Sequence, residues 1–275
     1  IIGCFFQIII AGTLTLGWFG FSNIGIIGPA VAMVISHFIM ALYLMFNLQL
    51  KQQIIKLTPC SISLSSLKDI MKVGGGGLIN SITIAGTVAI VTAAVSKHGV
   101  EALAGYGLGS RLEIIITPLV FGIGSVLTAS VGINVGAQQL PRAKLIAWTG
   151  AFISFCVVGL LGTTVTIFPD IWLNNFESST LIRDYATSYL IIVAPFYCFF
   201  AAGQTLYFAS QGLGKIFYPV IVGIIRLLSV SIICYYVTIY DLSLNFVFYG
   251  VSFGLLATGL GLWMCMLGPD WKKQI

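Results

Sequence analysis

The chain has 275 residues, of which 58% are hydrophobic and only 8% charged, with a mean hydropathy of +1.04. Soluble domains carry about 25% charged residues, so this composition excludes a water-soluble globular fold and predicts an integral membrane protein. The formal charge of +5 is scattered through loops rather than gathered on one face, which excludes a nucleic-acid partner.

Eight apolar segments follow one another, at about 1–17, 24–47, 73–95, 102–137, 145–168, 186–211, 217–239 and 244–268. Most reach the roughly 20 residues that a helical crossing needs. The predicted fold is therefore all-α: a polytopic membrane helix bundle of about eight transmembrane helices. The chain opens IIGCFFQIII, without methionine or a basic flank, so no signal peptide is expected. It reads as cut into an existing helix, the C-terminal part of a longer protein, whereas PDWKKQI reads as a natural terminus. The one long polar stretch, 48–72, divides the first two segments from the last six. Within it, Ser66-Leu67-Lys68-Asp69 resembles a capping box at a helix start.

Alternation of the segments puts Lys51, Lys56, Lys68, Lys72, Arg142, Lys144, Lys215, Lys272 and Lys273 on one side, and only Lys97 and Arg183 on the other. This bias predicts that 48–72 and the C-terminus are cytoplasmic. The expected location is the inner or plasma membrane of a bacterium.

Segment three opens Lys72-Val73-Gly74-Gly75-Gly76-Gly77. Glycine weakens a helix by about 1 kcal/mol per residue, so this run predicts either a bend or a frayed helix start. Segment four exceeds one crossing, and is expected to tilt, to kink near Pro118 or to project beyond the bilayer. It carries Arg111 and Glu113 in its N-terminal half. A charge at the centre of a spanning helix costs about 2.5–3.5 kcal/mol on insertion scales. Glu113 lies about 16 Å along the helix from Ala102, near mid-bilayer. Two readings are open: a buried carboxyl that loads and releases a coupling ion, or one half of a structural ion pair with Arg226 or Arg111. Arg226, in segment seven, has three readings: pairing with Glu113, snorkelling to the membrane surface, or contact with an anionic substrate.

Segment six holds Pro195, Tyr197 and a stripe of Gln204, Tyr207 and Gln211 at i, i+3 and i+7. Such a stripe suits cationic aromatic molecules through cation–π contact and hydrogen bonding, or equally bonds neighbouring helices. Asn80, Asn134 and Gln138 are further polar candidates for the cavity. Gly132 and Gly136 form a G-x-x-x-G packing pair. His37 is expected to be a satisfied bundle histidine. The six cysteines (Cys4, Cys60, Cys156, Cys198, Cys234, Cys265) show no C-x-x-C or Cys/His cluster, so no metal site is expected and small apolar packing is the simpler use. No H-E-x-x-H or paired aspartates occur, which argues against an intramembrane enzyme.

The order Ala102, Tyr106-Gly107, Gly109-Ser110-Arg111, Glu113, then Pro118-Leu119, Gly122, Gly124-Ser125, Leu127-Thr128, then Gly132, Asn134, Gly136-Ala137 and Pro141-Arg142-Ala143 resembles the second-lobe signature of the multidrug and toxic compound extrusion (MATE) family. Asn23 to Ala32 and the Gly-Ile-Ile-Arg-Leu-Leu setting of Arg226 are similar to further family patterns. The resemblance implies a two-lobed architecture with the first lobe truncated: 1–47 as its last two helices, 48–72 as the cytoplasmic linker and 73–275 as the complete six-helix second lobe. It implies a secondary active antiporter exporting drug-like, mostly cationic organic compounds in exchange for H+ or Na+, with no other cofactor. Expected partners are small organic molecules and the lipid bilayer, with no nucleic acid, and the full-length protein is expected to be monomeric. A lipid-linked oligosaccharide flippase of the same superfamily, with basic residues in its cavity, is the alternative; a non-transporting membrane scaffold is the second. The chain departs from the family where coupling carboxylates are usual: near Ile84, at Phe199-Phe200-Ala201 and at Ala11-Gly12 no acid occurs.

Overall fold

The computed structural model describes residues 2–20, 24–48, 64–176 and 179–271, which are helical between short turns, with no strand among them. It divides into two compact units, Ile1–Ser63 and Leu64–Ile275. Lys51, Lys56, Cys60, Glu177, Lys272, Lys273 and the Asn23 start of the second family-like pattern lie outside the described residues.

In the first unit, α1 (Ile2–Leu16) and α2 (Gly28–Asn47) pack against each other. The turn is closed by the amide of Ile24 donating to the carbonyl of Leu14 at 2.9 Å. α2 buries only Gly28, Ala32 and Ser36, one small-residue stripe at i, i+4 and i+8. Apart from the half-buried Ile39, its remaining large apolar side chains are exposed, and His37 stands among them with Nδ1 2.7 Å from the carbonyl of Met33. α1 has 15 residues, or about 22 Å, which is short of a crossing.

The second unit contains α3 (Leu64–Ser96), α4 (Val100–Gly136), α5 (Leu140–Ile167), the short α6 (Pro169–Leu173), α7 (Thr180–Val193), α8 (Tyr197–Gly212), α9 (Phe217–Ile239) and α10 (Leu244–Leu267). A 3-10 turn at Ala194–Phe196, containing Pro195, joins α7 and α8. Proline lacks the amide an α-helix needs, so this crossing is made in two pieces. Seven helical stretches of the described chain are long and apolar enough to span a membrane, six of them in this unit. Large apolar side chains such as Ile114, Phe152 and Leu160 are 68–70% exposed, as expected where lipid rather than water is the neighbour.

α8 is the central strut, packed against α4, α5 and α10. Helix association in lipid depends on close packing and interhelical hydrogen bonds, each worth about 0.6 kcal/mol on average. Small residues supply the first: a Cβ on Gly203 would meet the backbone of Thr258 and Gly259 at 3.0 Å. Hydroxyls supply the second. Thr128 donates to the carbonyl of Phe208 at 2.9 Å, Ser252 to that of Ile192 at 2.8 Å, and the hydroxyls of Thr205 and Ser154 lie 2.8 Å apart. At the end where α3 meets α4 and α9 meets α10, His98 Nε2 lies 3.1 Å from the carbonyl of Leu242.

Two local expectations turn out differently. α3 begins at Leu64, inside the stretch read as linker, so Ser66 to Asp69 are helical rather than a helix start; the side chains of Ser66 and Asp69 lie outside the description. α3 also continues as helix through Gly74 to Gly77. The reason is packing: Gly76 lies against Ile216, and its carbonyl accepts a hydrogen bond from Tyr207 at 3.1 Å. α4 is one helix of 37 residues through Pro118, about 55 Å long against a hydrocarbon core of about 30 Å, so it tilts or projects beyond the bilayer, as its length leads one to expect.

Candidate functional site

The first half of α4 packs on α7 and its second half on α8. The glycines of the motif set the first contact. A Cβ on Gly105 would meet the carbonyl of Ile182 at 2.8 Å, and one on Gly109 would strike the ring of Tyr189. With no side chain at these two positions, α7 comes close enough for the phenol of Tyr189 to reach Glu113, one turn beyond Gly109 along α4. Tyr189 donates to Oε1 of Glu113. Tyr197, across the Pro195 turn, donates to the same oxygen at 3.3 Å. Oε2 accepts nothing from the described residues. Tyr106 and Phe248 pack edge-on against Tyr189, at 5.4 and 5.1 Å between ring centroids.

This cluster forms one wall of a half-open cavity of about 760 Å³ lined by α3, α4 and α7 to α10. The lining is mostly apolar, with Val91, Phe200, Val230 and Leu255 among its walls, and Thr87, Ser110 and Thr117 as isolated hydroxyls. Arg226 of α9 lines the same cavity. Such a space, apolar with a few convergent polar groups, is the usual form of a small-molecule site. Ile84 and Phe200, where the family resemblance leads one to look for carboxylates, also stand in its wall.

Glu113, Tyr197 and Arg226 are thus brought together; the other predicted positions are not. Arg226 does not pair with Glu113: among the described residues the one ion pair is Arg183–Asp170. Nor does it snorkel, being 4% exposed. Arg111, two residues from Glu113 and therefore about 200° round the helix, points outward, its guanidinium carbon 5.4 Å from the centroid of Phe176. Gln204 and Tyr207 are buried at 1% and 2% exposure within the helix packing. Asn80 is buried beside Gly223 of α9. Asn134 donates to its own helix, at the carbonyl of Ser130, 2.8 Å away. Gln138 is exposed just beyond α4 with φ of 58°, the left-handed residue that ends a helix, and the next amide closes back on the carbonyl of Asn134 at 2.8 Å. Gly132 lies 3.4 Å, measured from a built Cβ, from the carbonyl of Gly212 on α8, in keeping with a packing glycine.

Tyr189 was not among the predicted residues. Its signal was present: a tyrosine in an apolar helix needs a partner for its hydroxyl, and it lies eight positions before Tyr197 across the Pro195 turn. No group of three or more His, Cys, Asp or Glu side chains suited to a metal occurs among the described residues.

A MatE family model matches residues 78–237, which include the whole of α4 and most of the cavity wall. The chain is 26% identical over 226 residues to "Probable multidrug resistance protein NorM" of Thermotoga maritima, covering 81% of this chain and 48% of that protein. It is 22% identical over 237 residues to "Probable multidrug resistance protein YoeA" of Bacillus subtilis, covering 84% and 51%. The chain thus spans about half the length of the curated relatives it matches. In fold it is similar to a MOP superfamily transporter from Pyrococcus furiosus, with a TM-score of 0.85 at 21% identity, over 99% of this chain and 62% of the other.

Proposed function

This chain belongs to the MatE family, a family of transporters rather than enzymes, and from that premise we propose that it works within a secondary active antiporter. The antiporter exports drug-like, mostly cationic organic compounds in exchange for H+ or Na+. The observation that carries this reading is Glu113. It is the one described carboxylate away from helix ends, it faces the cavity, and two phenols hold one of its oxygens while the other is free. A carboxyl so placed exchanges a proton or a cation with the cavity, and an organic cation entering the cavity competes for the same charge. That competition is the minimum an exchanger needs. Alternating access moves such a site between the two faces of the membrane.

In this reading residues 1–47 and 73–275 belong to two different lobes, the 48–72 side faces the cytoplasm, and the working protein is monomeric. The flippase alternative calls for several basic residues in the cavity. Of Arg111 and Arg226, only Arg226 lines it, so drug export is the better reading.

The test is ethidium efflux from cells producing the full-length transporter, driven by imposed H+ or Na+ gradients. Glu113→Gln should leave the protein folded and in the membrane and abolish gradient-driven efflux. Unchanged efflux from a folded Glu113→Gln protein refutes the role of Glu113, and no efflux from the unaltered protein refutes drug export.

A further inference from the structure

Arg226 is a buried cation whose donors outnumber the acceptors around it. It lies nine residues into α9, about 14 Å from the helix start, and is 4% exposed. Its stem passes Gly254 of α10, where a Cβ would come within 3.4 Å of Cγ. A guanidinium offers five N–H donors and keeps its charge. Among the described residues, Nη2 makes one long hydrogen bond, 3.4 Å, to the hydroxyl of Thr83 on α3. Nε is closed off from solvent and makes none.

The surroundings add little. Thr83 donates its own proton to the carbonyl of Asn80 at 2.8 Å, so it offers Arg226 one oxygen and nothing more. Thr87 is turned to its own helix, donating to the carbonyl of Thr83 at 2.7 Å. Glu113 lines the same cavity but forms no ion pair with Arg226. The wall otherwise includes the carbon surfaces of Ile84, Val91, Val230 and Leu255. An arginine inside a membrane is tolerated when it is paired or reaches the interface. Among the described residues Arg226 does neither. The protein thus sets the positive half of an ion pair on the wall of a half-open cavity.

The shape of the opening selects the other half. With Nε closed off, the Nε–Nη2 edge cannot grip a planar carboxylate or phosphate side-on with two parallel bonds. The Nη end is the part of the fork that a ligand can reach, and there Nη2 is already turned toward Thr83. A compact, spherical anion needs no more than that end.

We propose that Arg226 binds chloride, or another compact monovalent anion, at the wall of this cavity. Nη1 and Nη2 donate to the ion, and the carbon wall keeps bulk water from screening the attraction. The bound anion neutralises Arg226, so the cavity offers an incoming organic cation the charge of Glu113 alone. The inference is independent of what the transporter exports.

The experiment melts the purified full-length transporter in detergent at constant sodium and ionic strength, with chloride replacing gluconate stepwise. The melting temperature should rise saturably with chloride, by about 2–4 °C at ten times the half-saturating concentration, and bromide should act likewise. Arg226→Gln should abolish the rise. An arginine needed only for packing would make Arg226→Gln melt lower by the same amount in both salts, leaving the chloride effect intact, and that result overturns the inference. So does an unaltered protein that melts alike in chloride and gluconate. If Arg226→Gln does not fold, as judged by circular dichroism, crystals of the unaltered protein grown in bromide decide the matter. An anomalous-scattering peak beside Nη1 and Nη2 supports the site, and no peak there overturns it.

Discussion

Tyr207 of α8 donates its phenolic hydrogen to the backbone carbonyl of Gly76 on α3, at 3.1 Å, from a position that is 2% exposed. The bond reaches across 131 residues of sequence and makes the Gln204–Tyr207 stripe part of the packing of the bundle. It also explains why the glycine run stays helical: a larger residue at Gly76 would strike Ile216 and hold α3 away from Tyr207. Tyr207→Phe keeps the ring and removes the bond. It should lower stability by about 1 kcal/mol, read as a reduced melting temperature in detergent, with dye binding to the cavity unchanged.

Gly109 and Gly122 lie on the same helix with different surroundings. Gly109 faces the ring of Tyr189, whereas none of the described residues stands within 4 Å of a Cβ on Gly122. Gly109→Ala should therefore cost about 1–3 kcal/mol, the usual range for overpacking. Gly122→Ala should be neutral or stabilising by up to about 1 kcal/mol through helix propensity. Thermal denaturation of the two variants side by side checks the difference.

The phenol of Tyr189 occupies one oxygen of Glu113. Tyr189→Phe keeps the edge-on contacts with Tyr106 and Phe248 and leaves that oxygen with only the 3.3 Å bond from Tyr197. Labelling of Glu113 by dicyclohexylcarbodiimide, located by peptide mass spectrometry, should rise severalfold in the variant. Glu113→Gln should show no label at that position. Equal labelling with and without the phenol would mean that Tyr189 does not shield the carboxyl.

Arg183 of α7 bonds Asp170 at 2.6 Å and Asn174 at 2.5 Å, joining α6 to α7 in an exposed setting. Exposed ion pairs contribute about 0–1 kcal/mol and are screened by salt. Arg183→Ala should lower the melting temperature by a degree or two at most, and the difference should shrink as ionic strength rises.

Much of this protein was legible in one dimension because lipid imposes its demand locally. Every crossing must be long, apolar and internally hydrogen-bonded, so the crossings made by α2, α3, α4, α5, the α7–α8 pair, α9 and α10 and the exceptional status of Glu113 can all be read from composition along the chain. The motif glycines were visible too. Their use was not, because it depends on which helix comes to lie against Gly105 and Gly109. The start of α3 at Leu64 escaped for a related reason: a polar stretch can be linker or amphipathic helix.

Arg111 and Arg226 show where the boundary falls. By sequence they are alike, each an arginine in an apolar run. The rotation of α4 turns Arg111 outward to Phe176, and the packing of α9 against α3 and α10 turns Arg226 into the cavity. Rotation about a helix axis is set by the summed fit of many side chains along several neighbouring helices. No residue carries that information by itself. The sequence by itself determined that charges would be placed within the membrane; only the tertiary structure decided that Glu113 would be held by Tyr189 and Tyr197 rather than by an arginine, and that Arg226 would line the same cavity with no ion pair among the described residues.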